Sequence, residues 1–313
     1  MGKVKYLLKR IRKLDYKNMF RIAKKISKKT NKSYIGIILD MVRCGIKYQA
    51  GYYDYQEFEF YNLNKKERET YLTRGKNNEI IKRFNDKSKF HIFENKDEMY
   101  ATFDKFIKRK WMKLNENNEE EFVKFIKDNK SVIVKPIDGE GGHGIEKCTY
   151  TTDEDAKKLY KSLLEHDQLI VEQCIVQNKE LDKLYDKSVN SLRMFTFYKD
   201  GKSYFLQAVL KIGNGGVVDN FSSGGMYTYV SEEGCVYAEA IDKEDNIYFE
   251  HPVSKTKIVG FEVPLFKEAV ELGEKEPIII EGNCFPGVFQ VKPSLCSEKR
   301  GLIPKYNEIM KIF

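Results

Sequence analysis

A chain of 313 residues, 41% hydrophobic, with 20 Tyr and 20 Phe, has the apolar mass for two or three packed subdomains and is not a disordered polymer. Its net charge of +8 is unevenly placed: residues 1–33 hold 13 Lys and Arg against Asp15 alone, which puts that segment at +12 and the remainder at −4. A nucleic-acid protein would spread cations along its main groove, so nucleic acid is not an expected partner. The charged N-terminus is followed by no apolar signal-peptide core. The longest apolar run, Tyr34–Val42, is broken by Asp40 and falls well short of the roughly 20 residues of a membrane span. The six cysteines (Cys44, Cys148, Cys174, Cys235, Cys284, Cys296) form no CxxC pair and read as reduced thiols, so a cytoplasmic protein is expected.

In chain order, Val4, Leu7, Leu8, Ile11 and Leu14 recur at spacings of three and four. Met19, Phe20, Ala23 and Ile26 resume the pattern after a break near Asp15. This predicts a basic amphipathic helix, or two short ones. A docked helix with a solvated basic face and a helix lying on an anionic membrane surface both fit it. A helix over Ser33–Tyr48 follows, then an aromatic stretch at Tyr52–Tyr61 and a partly helical charged segment at Asn64–Arg83. Nothing in the first 95 residues carries expected chemistry.

Residues 132–150, VIVKPIDGEGGHGIEKCTY, are the most informative stretch. Val132, Ile133 and Val134 predict a buried strand, and Lys135-Pro136 leads into Gly139, Gly141, Gly142 and Gly144. Such a loop lets backbone N–H groups approach phosphate oxygens without a Cβ in the way. A dinucleotide fold would need a helix straight after the glycines, yet Ile145–Tyr150 alternates like a strand. A protein kinase would place its lysine later and carry HRD and DFG, which are missing. The order strand, lysine, glycine hairpin, strand is that of ATP-grasp proteins; a turn without ligand also fits. Thr152–Glu165 then predicts a helix with Thr152 or Asp153 as its cap, and Leu169–Val176 a strand carrying Glu172 and Gln173.

Further on, Arg193 and Lys211 lie in β-rich runs (Met194–Tyr198 and Tyr204–Lys211) and are candidates for phosphate contact, or simply surface charges on strands. Pro264–Glu276 reads as helix. Ile278–Ile280 predicts a buried strand whose end carries Glu281 and Asn283. Residues two apart on a strand share a face, so the two oxygens would converge in a way that suits Mg²⁺; a merely solvated Glu281 is the alternative.

On these residues the chain resembles the sugar-transfer-associated ATP-grasp family encoded among polysaccharide and capsule biosynthesis genes. The resemblance runs from about Gly36 to Pro293. It includes Asn95-Lys96 before an aromatic helix, Arg109, the Lys135 glycine loop, SVNSLRMFTF, LKIGNGGVVDNFSSGG, His251-Pro252 and IIIEGNCFPG. It implies an α+β ATP-grasp fold, in which two subdomains with mainly antiparallel sheets clasp ATP behind a helical N-terminal region. The expected division is a basic segment 1–33, a helical region 34–95, a glycine-loop subdomain 96–175 and a metal-site subdomain 176–313.

The resemblance also implies an ATP- and Mg²⁺-dependent carboxylate–amine ligase acting on a carboxylate- or amine-bearing sugar or amino acid. Nucleotide contacts would come from Lys96, Lys135, the four loop glycines and the hinge residues Glu172, Gln173 and Cys174. Glu180 would take the ribose, Arg193 and Lys211 the catalytic charges, and Glu281 and Asn283 the metal. Family members usually carry a Gly-Trp-Asp strand before the Glu-x-Asn segment, its Asp a metal ligand. Here the only tryptophan is Trp111, so Asp219 is the candidate replacement, with Glu271 as the second choice. A kinase on the same fold and a non-catalytic nucleotide-binding partner of a membrane glycosyltransferase complex are the alternatives.

Overall fold

The computed structural model describes residues 15–138, 143–216, 219–271, 277–296 and 298–313. Expectations for residues 1–14 and for Gly139, Gly141 and Gly142 fall outside that set. The chain divides into two compact units. One joins the described residues up to Phe84 with Phe285–Phe313, and the other is Asn85–Cys284. The last 29 residues thus cluster with the N-terminal helices and not with the rest of the expected 176–313 subdomain.

In the first unit, helix α1 (Tyr16–Thr30) begins at Asp15, whose carboxylate accepts the Asn18 N–H at 3.0 Å. Its buried stripe is Met19, Ile22, Ala23 and Ile26, so this stretch is docked. Phe20, expected on the inner face, is exposed, because one residue turns the helix by about 100° away from Met19. Helix α2 (Tyr34–Tyr48) starts at Ser33, whose Oγ accepts the Gly36 N–H, and buries Ile37, Met41, Cys44 and Tyr48. They pack on an aromatic core that includes Tyr55, Phe58, Phe60 and Tyr71. The C-terminal residues belong here through Gln290, whose amide accepts the N–H of Leu72 and of Leu302 and donates to the Leu72 carbonyl.

The second unit holds two antiparallel sheets. The first contains β1 (Trp111–Lys113), β2 (Ser131–Lys135), β3 (Glu146–Thr149) and β4 (Ile170–Gln173), in the order β1-β4-β2-β3. Alternation along β2 and β4 sends Val132, Val134 and Val171 into a core shared with Phe122, Ile126, Ala156, Tyr160 and Leu163. Those partners come from helices Glu119–Asn129 and Asp153–Glu165, the latter capped by Thr152. The opposite face of the sheet carries Ile170, packed with Met99, Tyr100 and Ile107, and on it stand Lys135 and Glu172.

The second sheet is a meander of β5 (Ser191–Lys199), β6 (Lys202–Ile212), β7 (Met226–Val230), β8 (Ala240–Ile241) and β9 (Ile247–Tyr248). One face, with Ala208, Leu210, Ile212 and Met226, packs on Ile258, Val263 and Phe266. The helix expected over Pro264–Glu276 is present at Phe266–Glu271. The strand expected at Ile278–Ile280 is not formed. Those isoleucines are only partly buried, and the Ile279 N–H donates to the Phe106 carbonyl at 2.9 Å. The segment docks on the end of the short helix Asp104–Ile107 instead of entering a ladder. Among the described residues no helix is long and apolar enough to cross a membrane.

Candidate functional site

Four buried polar side chains meet on the face of the first sheet opposite its valine core. Lys135, the last residue of β2, donates from Nζ to Glu172 Oε1 at 2.7 Å. The other carboxylate oxygen accepts from Arg109 Nε at 2.9 Å and from the Tyr100 hydroxyl at 2.7 Å. Arg109 Nη2 in turn donates to the Tyr100 oxygen at 3.0 Å. Both cations also lie over the Tyr100 ring, 5.2 Å (Lys135) and 5.0 Å (Arg109) from its centroid. Tyr100 comes from the helix Lys96–Thr102, and Lys135 and Glu172 from paired strands, so the sheet register assembles the group. Burial opposes a charge on Glu172, but the Lys135 ammonium and the Arg109 guanidinium outweigh it and hold the carboxyl below the usual carboxylate range. Burial, with the neighbouring carboxylate adding to it, pushes the Tyr100 phenol above its ordinary value and keeps it a proton donor.

Arg109 also reaches the segment that carries the candidate metal ligands, donating from Nη1 to the carbonyls of Ile279 at 3.0 Å and Ile107 at 3.3 Å. Two residues further on, Glu281 accepts from Arg193 Nη2 of β5 at 3.1 Å. Lys96 opens its helix and donates to the Ile137 carbonyl at 3.2 Å. Burial lowers its pKa, against the attraction of Asp138, Glu281 and Glu172. Lys96, Lys135, Arg109 and Arg193 therefore share one neighbourhood around the start of the glycine loop and the Glu281 segment.

Gly282 has a steric reason to be glycine. A Cβ there would stand 2.3 Å from Phe93 Cδ1 and 2.6 Å from Cε1. Gly282→Ala is expected to push the Glu281–Asn283 segment outward and destabilise the protein by about 1–3 kcal/mol. A melting temperature identical to that of the wild type would show that the ring yields freely.

Arg193 and Lys211 lie on one face of the second sheet, where Ser191 faces Lys211 across the ladder and Arg193 faces Val209. Lys211 Nζ donates to Asp219 Oδ1 at 3.1 Å, while Asp219 Oδ2 accepts the Ser191 N–H at 3.0 Å and also its hydroxyl. The connection beyond Lys211 is pinned from below. Asn190 Oδ1 accepts the Gly213 N–H, His251 Nε2 donates to the Gly213 carbonyl at 2.8 Å, and the Tyr185 hydroxyl accepts the Gly215 N–H. His251 Nδ1 accepts the N–H groups of Val253 and Ser254, which leaves the proton on Nε2. Burial lowers the pKa of this ring, consistent with a neutral structural histidine.

The remaining expected residues are more scattered. Gly144, at φ +70°, closes the connection between β2 and β3, and its carbonyl accepts from Gln168 at 2.9 Å. The Gln173 N–H is already donated to the Lys110 carbonyl at 2.9 Å, so of Glu172, Gln173 and Cys174 only Cys174 lies beyond the ladder. Glu180 is exposed on the short helix Lys179–Asp182 and paired with Lys183. Tyr100, Ser191 and Asp138 were not singled out as site residues from the sequence. Only the position of Ser191, two before Arg193 and so on the same strand face, could have marked one of them.

Among the described residues no three His, Cys, Asp or Glu side chains lie close enough together to hold a metal ion. Asp219 is engaged with Lys211 and Ser191, and Glu281 with Arg193. Glu281 and Asn283 are exposed oxygen donors. They stand outside any strand, so the alternation expected to bring their oxygens to one face is not present; oxygen ligands of this type would suit a Mg²⁺ shared with nucleotide phosphate and water, not a closed protein cage.

A family model described as sugar-transfer associated ATP-grasp matches residues 75–277. No curated protein matches the sequence. Among solved structures, the chain is similar at a TM-score of 0.29 and 10% identity to D-alanyl-alanine synthetase A from Vibrio cholerae O1 biovar eltor. That match covers 54% of this chain and 56% of the synthetase, little more than half of either.

Proposed function

Because the chain belongs to the sugar-transfer associated ATP-grasp family, whose model covers residues 75–277, we propose that it is an ATP-dependent carboxylate–amine ligase. A carboxylate oxygen of the acceptor attacks the γ-phosphorus, ADP leaves, and an amine then displaces phosphate from the acyl phosphate. The acceptor is a sugar or amino acid bearing a carboxylate, within surface polysaccharide biosynthesis. The observation that carries this reading is Lys135. It is a buried ammonium at the last residue of β2, held by a carboxylate, with the charges of Lys96 and Arg109 acting on it.

In this reading Lys96 and Lys135 hold the nucleotide phosphates, the hairpin covers them, and the Cys174 end of β4 faces the adenine. Arg193 and Lys211, now paired with Glu281 and Asp219, neutralise charge as phosphate is transferred. Mg²⁺ at Glu281 and Asn283 supplies further neutralisation of the phosphates. The working place is the cytoplasm, with the basic residues 1–33 turned to an anionic membrane surface.

A second reading, nucleotide binding without catalysis, is favoured by the helix Phe266–Glu271 where family members carry the Gly-Trp-Asp strand. The test is incubation with ATP, Mg²⁺, hydroxylamine and a panel of uronic acids and amino acids. A hydroxamate formed from one acid, with phosphate release, is the expected result. Phosphate appearing on a hydroxyl without hydroxamate would make the protein a kinase. Bound nucleotide with neither product would favour the non-catalytic reading.

A further inference from the structure

Helix α2 is apolar on two sides. Ile37, Met41, Cys44 and Tyr48 face the aromatic core, while Ile35, Leu39, Val42 and Ile46 are 67%, 65%, 49% and 62% exposed. Spacings of four, three and four put the exposed residues on one line, about 16 Å long at the helical rise of 1.5 Å per residue. A solvated helix face is normally polar, so an aliphatic row of this length marks a surface that something covers.

The surrounding charge indicates what covers it. From Asp15 to Tyr48 the chain carries nine Lys and Arg against only Asp15 and Asp40. Asp40 is taken up by Arg68 and by the Tyr55 hydroxyl, and Lys47 is tied to Glu69. Arg43 is exposed beside the row, and the neighbouring α1 exposes Lys17, Arg21, Lys24 and Lys28. A second copy docking through the same face would bring like charges together. An anionic bilayer accepts both features at once, with acyl chains against the aliphatic row and headgroups against the cations.

We propose that Ile35, Leu39, Val42 and Ile46 of α2, assisted by Arg43 and the exposed cations of α1, enter the interface of an anionic membrane and hold the protein there peripherally. This places the apolar anchor beyond the basic segment 1–33, and it does not depend on the ligase reading.

The test uses the full chain with vesicles of phosphatidylcholine, with and without phosphatidylglycerol. Wild type is expected to sediment with the anionic vesicles only, less so as salt rises. Leu39→Asp combined with Ile46→Asp should weaken that binding by at least about ten-fold, since two aliphatic groups are withdrawn from the interface. The melting temperature should hold, and Val176→Asp, at a 94% exposed position, should bind as wild type. Ile35→Trp should show blue-shifted emission when anionic vesicles are added. Wild-type-like binding by the double variant, a water-like Ile35→Trp spectrum with vesicles, or no vesicle binding by wild type would each overturn the proposal. So would a lipid-free wild-type dimer that the double variant converts to a monomer, which would make the row a contact between copies.

Discussion

Replacing Glu172 with alanine is expected to destabilise the protein by about 3–5 kcal/mol, the cost typical of breaking a buried ion pair by removing one partner. The carboxylate sits between two buried cations and a buried hydroxyl, and its removal leaves Lys135 and Arg109 facing each other with no counter-charge. Glu172→Gln keeps the shape but not the charge and should fall between the two. The pH dependence follows from the depressed carboxyl. Its contribution is fully present above the ordinary carboxylate range and is lost as pH falls through the lower value it has in the folded protein. Calorimetric melting of wild type and Glu172→Gln over an acid series checks this. The two should converge as pH falls, and parallel curves would show that Glu172 is not ionised in the folded state.

Lys135→Ala is expected to weaken ATP binding by about 10- to 150-fold, which corresponds to about 1.5–3 kcal/mol for a charge-assisted contact. Its effect on folding should be smaller than that of Glu172→Ala, because Glu172 keeps the Arg109 guanidinium and the Tyr100 hydroxyl. That contrast separates nucleotide contact from structural support: one variant should lose affinity with modest loss of stability, the other chiefly stability. Titration calorimetry with ATP measures the first and thermal melting the second. An unchanged ATP affinity in Lys135→Ala would remove this lysine from the nucleotide site and weaken the ligase reading with it.

Much of the second unit was legible in the sequence because its signals are local. The β-branched run before Lys135, the alternation after the loop, the Thr152 cap and the long strands around Arg193 and Lys211 each depend on residues close in the chain. They appear in the structure as β2, β3, the helix Asp153–Glu165, β5 and β6. Propensity misled at Ile278–Ile280, where three β-branched residues imply a strand. A ladder needs a partner edge, and this segment instead docks on Phe106 and Arg109.

By itself, then, the sequence determined the order strand, lysine, glycine hairpin, strand, the uneven charge, and the family to which that order belongs. Tertiary structure alone decided that Lys135 meets Glu172. The two are 37 residues apart and come together only because β4 lies beside β2 in a register that puts both on the face with Tyr100 and Arg109. It decided likewise that Phe285–Phe313 joins the N-terminal helices, through Gln290 and Leu72. In α2 the sequence supplied aliphatic residues on two sides, and only packing chose which side the aromatic core would bury and which would stay exposed. The physical reason is the same in each case: periodicity and capping are encoded within a few residues, whereas pairing across a sheet or burial against a distant helix depends on loop closures and on competing surfaces elsewhere in the chain.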